Sequence, residues 1–253
     1  MRHLIYCIFK SPEQPTTEMP PGISGQPVFL VAGNGLYAAV SMVADSELAP
    51  VISRLLAYAK VLESLHRRYT IIPMRYGCLF EEEAQIRRLL EQECGTYQAL
   101  LEELKDCVEM GLRVLLEDEG TKEAPASSLP LCSPQLISPS SGTAYLAAQK
   151  DRYAAKDQAN VDQAGIVSEI LSSLSGLFLR SKQESSRVEG RLLISIYFLV
   201  PIGVVDSFRR MSGNLQIKES EKILLSGPWL PYNFVTTATL SPDTGDLPGN
   251  TIL

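Results

Sequence analysis

Histidine is almost missing from this chain. Two occur in 253 residues, His3 and His66. They lie far apart and outside any Cys/His ligand motif, so the spacing offers no zinc or iron site. Ser-His-Asp and Cys-His catalysis are disfavoured for the same reason, because each needs an imidazole held beside its nucleophile. The five cysteines are an odd number with no C-x-x-C pair, the pattern of scattered thiols in a reducing compartment. Basic charge is also short: 23 Lys and Arg face 29 Asp and Glu, for a net charge of −6. Such a balance argues against nucleic acid and against anionic lipid as partners. No long apolar run exists. The longest, Leu192–Val205, is broken by Pro201 and Gly203 and falls short of the roughly 20 residues that a membrane helix needs. The opening "MRHLIYCIFK" is too short in its apolar part for a signal h-region. The expectation is a soluble cytoplasmic protein.

Phosphate and acid–base motifs are missing too. Gly33 and Gly35 in "AGNGLYAAV" precede a strand instead of opening a helix, and no GKS or GKT follows, so they form no phosphate cradle. The acids of Glu81-Glu82-Glu83 and Glu102-Glu103 fall at helix ends or on exposed faces, where solvation accounts for them. No enzyme signature and no cofactor motif remain.

What is present is regular secondary structure. Leu4–Phe9 is apolar on both faces and predicts a central strand. A Pro-rich loop over 11–27 leads to "VFLVAGNGLYAAVSMV", a hairpin turning at Asn34-Gly35. Asp45 or Ser46 can cap a helix whose apolar stripe is Leu48, Val51, Ile52, Leu55, Ala59 and Leu62. "YTIIPMRYGCLF" reads as a strand ending in a turn. A second helix then runs from the Glu81 cluster to Leu104, with Ile86, Leu89, Leu90, Tyr97, Leu100 and Leu101 on its buried side. Val108 to Leu116 alternate apolar with Glu109, Gly111 and Arg113, the period of a strand. Residues 1–117 therefore predict an α+β sandwich of ferredoxin-like kind, two helices over one face of a sheet. Residues 118–140 read as a linker or loop. Residues 141–235 predict a smaller α+β domain with a long polar helix (143–180) interrupted near Gly165, strands around 191–201 and 222–229, and a short helix over 204–210. Residues 236–253 read as a flexible tail.

Two stretches stand out. In "TIIPMRYG", Pro73 ends a strand and Gly77 frees a turn, displaying Arg75 and Tyr76. Arg75 either pairs with a nearby carboxylate while Tyr76 packs, or the two contact a partner. In "KILLSGPWLPYNFV", the only tryptophan, Trp229, stands between Gly227-Pro228 and Pro231-Tyr232. Leu224 and Leu225 finish the last strand, and the prolines stiffen its exit. Trp229 then either packs over the junction of the two domains or is a preformed aromatic anchor, since Trp and Tyr dominate interface hot spots.

Together, "GLYAAVS", "TIIPMRYG", "SGTAYLAAQKDR" and "LLSGPWLPYNFV" resemble the gas vesicle protein F/L family in order and spacing over nearly the whole chain. The departures are mild: in the last motif Leu230 replaces a proline and Asn233 a serine, and in "TIIPMRYG" Arg-Tyr-Gly stands for the usual Arg-Phe-Gly. The resemblance implies a non-enzymatic accessory protein of gas vesicle assembly, located at the gas vesicle. It also implies that the chain binds the hydrophobic major shell protein, and other accessory proteins beside it. The competing reading from another class is a small-molecule-binding regulatory module on a ferredoxin-like fold; such a fold carries no site information by itself.

Overall fold

The computed structural model describes residues 1–12, 19–116, 163–188, 191–216 and 220–235. The expected linker, the first part of the expected long helix and the tail lie outside the described residues. The class is α+β, as expected, and the chain divides into two compact units. The first comprises Met1–Met110, Leu199–Ile202 and the chain from Gly227; the second comprises Gly111–Phe198 and Gly203–Ser226.

The first unit is built on β1 (Arg2–Lys10), with β2 (Phe29–Gly33), β3 (Leu36–Val43), β4 (Ile71–Pro73) and β5 (Leu79–Phe80). The order is β2-β3-β1-β4, and β5 also pairs with β1. Every residue from Leu4 to Phe9 is fully buried, so both faces of β1 are covered. At roughly 1.5–3 kcal/mol per large apolar side chain, this strand is a main source of the unit's stability. The β2–β3 hairpin turns at Asn34 and Gly35 with φ of 48° and 77°, the positive values a tight primed turn demands.

Among the described residues three α-helices complete the unit: α1 (Ile52–His66), α2 (Glu83–Gln92) and α3 (Cys94–Leu104). Their layering differs from two helices on one face. Leu30 packs on the core cluster that includes Tyr58, Val61, Leu62 and Leu65 of α1. Gly33, of opposite parity on the same strand, faces α2: a Cβ there would lie 2.9 Å from the Leu90 Cβ. Successive strand residues point to opposite faces, so α1 and α2 cover opposite sides of the sheet. The second helix of the sequence reading is two helices, separated at Glu93, where φ and ψ are −97° and 13°.

Helix α1 also starts later than its polar residues suggest. Asp45–Glu47 form a 3₁₀ turn, and the α-helical N-cap is Val51, with no side-chain cap. Asp45 and Ser46 therefore do not cap it. Its buried side is set by Tyr58, Val61, Leu62 and Leu65, which leaves Val51, Ile52 and Leu55 of the predicted stripe in solvent.

The second unit holds a four-stranded sheet in the order β7-β8-β6-β9, from β6 (Cys107–Leu116), β7 (Arg180–Val188), β8 (Arg191–Pro201) and β9 (Ser220–Trp229); β6, β8 and β9 begin or end in the first unit. Helix α4 (163–173) runs through Gly165 without a break and stops before Gly176, whose φ of +81° suits a chain leaving a helix. Helix α5 is Val205–Gly213. Phe198 of β8 stacks edge-to-face on Phe178 and on Phe208 of α5, which anchors these elements on one core. Strand β9 continues past Leu224 and Leu225 to Trp229, so the two leucines do not end it. Among the described residues no helix is long and apolar enough to cross a membrane.

Candidate partner-docking site

An irregularity in β1 creates the site. Opposite β3 the register steps between Ile5 and Cys7, leaving Tyr6 as an extra residue, the definition of a bulge. On its other side β1 changes partner at the same place, from β5 at His3 and Leu4 to β4 at Cys7 to Phe9. The chain between those two short strands leaves the sheet as a loop. It is pinned by Met74 N–H donating to the Tyr6 carbonyl (2.9 Å) and Ile5 N–H donating to the Cys78 carbonyl (3.0 Å).

Within the loop, Cys78 N–H donates to the Arg75 carbonyl at 3.1 Å, and Gly77 takes φ +90°. A four-residue turn with positive φ at its third position requires glycine there. The turn aims Arg75 outward, where it is exposed and no described carboxylate pairs with it. Tyr76 folds inward onto Tyr58, their ring centroids 5.3 Å apart in an edge-to-face contact.

Tyr58 is the keystone. Its hydroxyl lies 2.8 Å from the Met74 carbonyl, 3.2 Å from that of Ile5 and 3.3 Å from that of Tyr6. Having one proton, it donates to one of them at a time, Met74 being nearest. Burial pushes its phenol well above the ordinary range, and nearby Tyr232 adds to the rise. The Tyr6 ring packs on that of Tyr58 at a tilt, with centroids 4.9 Å apart. Its hydroxyl accepts from Ile23 N–H and donates to Ser41 Oγ, which donates to the Pro27 carbonyl. Each hydroxyl proton in that relay is used.

The C-terminal motif reaches the same place. Gly227 has φ +107°, a Cβ on it would stand 2.7 Å from the Glu109 carbonyl, and the bond to Pro228 is cis. Leu230 packs on the cluster beneath α1, the same cluster that receives Tyr76. Tyr232 keeps 37% of its surface exposed, while its hydroxyl end is desolvated. Burial, then Cys7 and Glu109, push its phenol up to about 12. Pro231, Phe234 and Val235 are buried. Asn233 is gripped by Glu109: its backbone N–H donates to Oε2 at 2.8 Å and its amide to Oε1 at 2.7 Å.

Tyr76 and Leu230, distant in sequence, thus pack on one cluster that includes Tyr58, and Gly77, Gly227, Pro228 and Pro231 shape the two segments that carry them. Arg75 and Trp229 remain outside; Trp229 is 59% exposed. The two segments thus display a cation, Arg75, and an indole, Trp229, in solvent. Among the described residues no group of three or more His, Cys, Asp or Glu is placed to hold a metal. Sequence reasoning passed over Glu109, because the alternation of β6 puts it in the row of Gly111 and Arg113. It is only 5% exposed, and a carboxylate in an otherwise apolar strand opening was the available signal. Tyr58 hid likewise, between apolar neighbours.

Comparison with known proteins agrees with this architecture. The family described as "Gas vesicle synthesis protein GvpL/GvpF" matches residues 2–236. The fold is similar to the crystal structure of gas vesicle protein GvpF from Anabaena sp. PCC7120, with a TM-score of 0.70 at 17% identity, covering 93% of this chain and 96% of that one. It is also similar to GvpF from Microcystis aeruginosa, with a TM-score of 0.67 at 14% identity, covering 93% and 99%. No curated protein matches the chain.

Proposed function

Because the chain belongs to the gas vesicle synthesis protein GvpL/GvpF family, we propose that it is a non-enzymatic accessory protein that binds the hydrophobic major shell protein during gas vesicle assembly. It acts at the gas vesicle, from a soluble cytoplasmic form, beside other accessory proteins. The observation that supports the binding surface is the convergence of both motifs on the cluster that holds Tyr58. Two motifs far apart in sequence pack on one core cluster, through Tyr76 and Leu230, and they hold Arg75 and Trp229 in solvent. An exposed tryptophan held by buried Pro231 and Phe234 loses little conformational freedom on binding, so its contact area converts efficiently into affinity.

Co-expression with the major shell protein followed by co-purification tests the reading. The Arg75→Glu/Trp229→Ala double variant should retain at least about tenfold less shell protein, as loss of hot-spot residues implies, while its thermal unfolding stays that of wild type. Unchanged retention overturns the surface. No retention by the wild-type chain overturns direct binding of the shell protein.

A further inference from the structure

The two edges of the second unit's sheet are built on opposite principles. Strand β7, at one edge, is exposed along its whole length and carries Arg180, Lys182, Glu184 and Arg187, with the Lys182 Nζ 3.0 Å from Glu184 Oε1. Charge on an edge strand blocks pairing with another chain. Strand β9, at the other edge, carries no charged residue from Ile223 to Trp229, and among the described residues no strand pairs with its outer side. Leu224 and Leu225 are 50% and 38% exposed. Being adjacent in a strand, they point to opposite faces, so the edge is apolar above and below.

The sequence of this edge fits itself. Laid antiparallel on a second copy about Leu224, the segment Lys222-Ile223-Leu224-Leu225-Ser226 sets Leu224 opposite Leu224. Ile223 then opposes Leu225 and Lys222 opposes Ser226. No like charges meet, every apolar side chain meets another, and side chains directly opposite come within about 5 Å. Pro228, which has no backbone N–H, limits the pairing to this stretch. The register is two-fold symmetric, which an isologous contact requires.

We infer that β9 is a self-pairing edge through which two copies of this chain associate, Leu224 against Leu224 across a two-fold axis. The full chain in solution tests it by sedimentation. The expected mass rises with concentration from 27.8 kDa toward about twice that value, as one two-fold contact dictates. Leu224→Lys and Leu224→Glu each place like charges face to face at the axis and should weaken association by more than about tenfold. Mixed in equal amounts, the two variants oppose Lys to Glu and should associate again. Leu224 is exposed, so both variants should unfold at the wild-type temperature, and Arg187→Glu on β7 should leave association unchanged. A wild-type chain that stays monomeric overturns the inference and leaves the edge to a strand of some other protein. Dimers that persist in the single variants, or that fail to return on mixing, overturn it as well.

Discussion

Glu109 and Asn233, 124 positions apart, are joined through one carboxylate that accepts both the backbone N–H and the side-chain amide of the asparagine, at 2.8 and 2.7 Å. The carboxylate is buried, so these bonds form where water competes little, and hydrogen bonds to charged groups contribute about 1.5–3 kcal/mol each. Asn233→Ala removes the amide bond and leaves Glu109 partly unsatisfied. Urea unfolding should show a loss of about 1.5–3 kcal/mol. Glu109→Ala should disorder the motif further and raise the quenching of Trp229 fluorescence.

Tyr58→Phe deletes the hydroxyl that serves the Met74 carbonyl where β1 changes partner. The ring contacts with Tyr6 and Tyr76 remain, so the cost is that of one buried hydrogen bond, about 1–2 kcal/mol. Exchange of the Met74 amide, which bonds the Tyr6 carbonyl, should accelerate. Wild-type stability and exchange would show that the hydroxyl is not the pin.

Gly77→Ala isolates backbone strain. A Cβ there meets nothing within 4 Å, but φ is +90°, and a residue with a side chain pays about 1–2 kcal/mol in left-handed backbone. The variant should lose that much stability, and shell-protein retention should fall because Arg75 and Tyr76 shift. Gly77→Asn, better tolerated at positive φ, should lose less on both counts.

His66 sets an acid limb. Its Nδ1 is buried with no hydrogen-bond partner among the described residues, and burial lowers its pKa below the ordinary 6.5. Between that folded value and 6.5 the unfolded chain holds the extra proton, so stability rises with pH in this window. Acidifying from pH 7 through 6.5 should therefore lower the unfolding temperature. His66→Gln should flatten that part of the profile, and an unchanged slope would assign it to another group.

Local chemistry made part of this legible. Six apolar residues in a row announced the doubly covered β1, Asn34-Gly35 announced the β2–β3 hairpin, and Gly77 announced the turn that displays Arg75. Elements whose identity depends on distant packing were hidden. Ile52 and Leu55 sit at helical spacing with Leu62, yet only the later turns of α1 reach the sheet. Strand β7 carries polar residues on both faces because it is an edge, and so shows no alternation. Glu109 lies in a row that alternation assigns to solvent, and nothing nearby in sequence predicts that Asn233 will cover it. The meeting of Tyr76 and Leu230 on the cluster around Tyr58 is likewise a product of tertiary structure, with no local pattern to encode it.

The most direct test of the central claim places a photo-crosslinking amino acid at position 229 and illuminates cells assembling gas vesicles. A docking surface centred on Trp229 predicts a crosslink to the major shell protein, weakened by Arg75→Glu, with none from a crosslinker at Arg187 on the charged edge. A crosslink from 187 and none from 229 would contradict it.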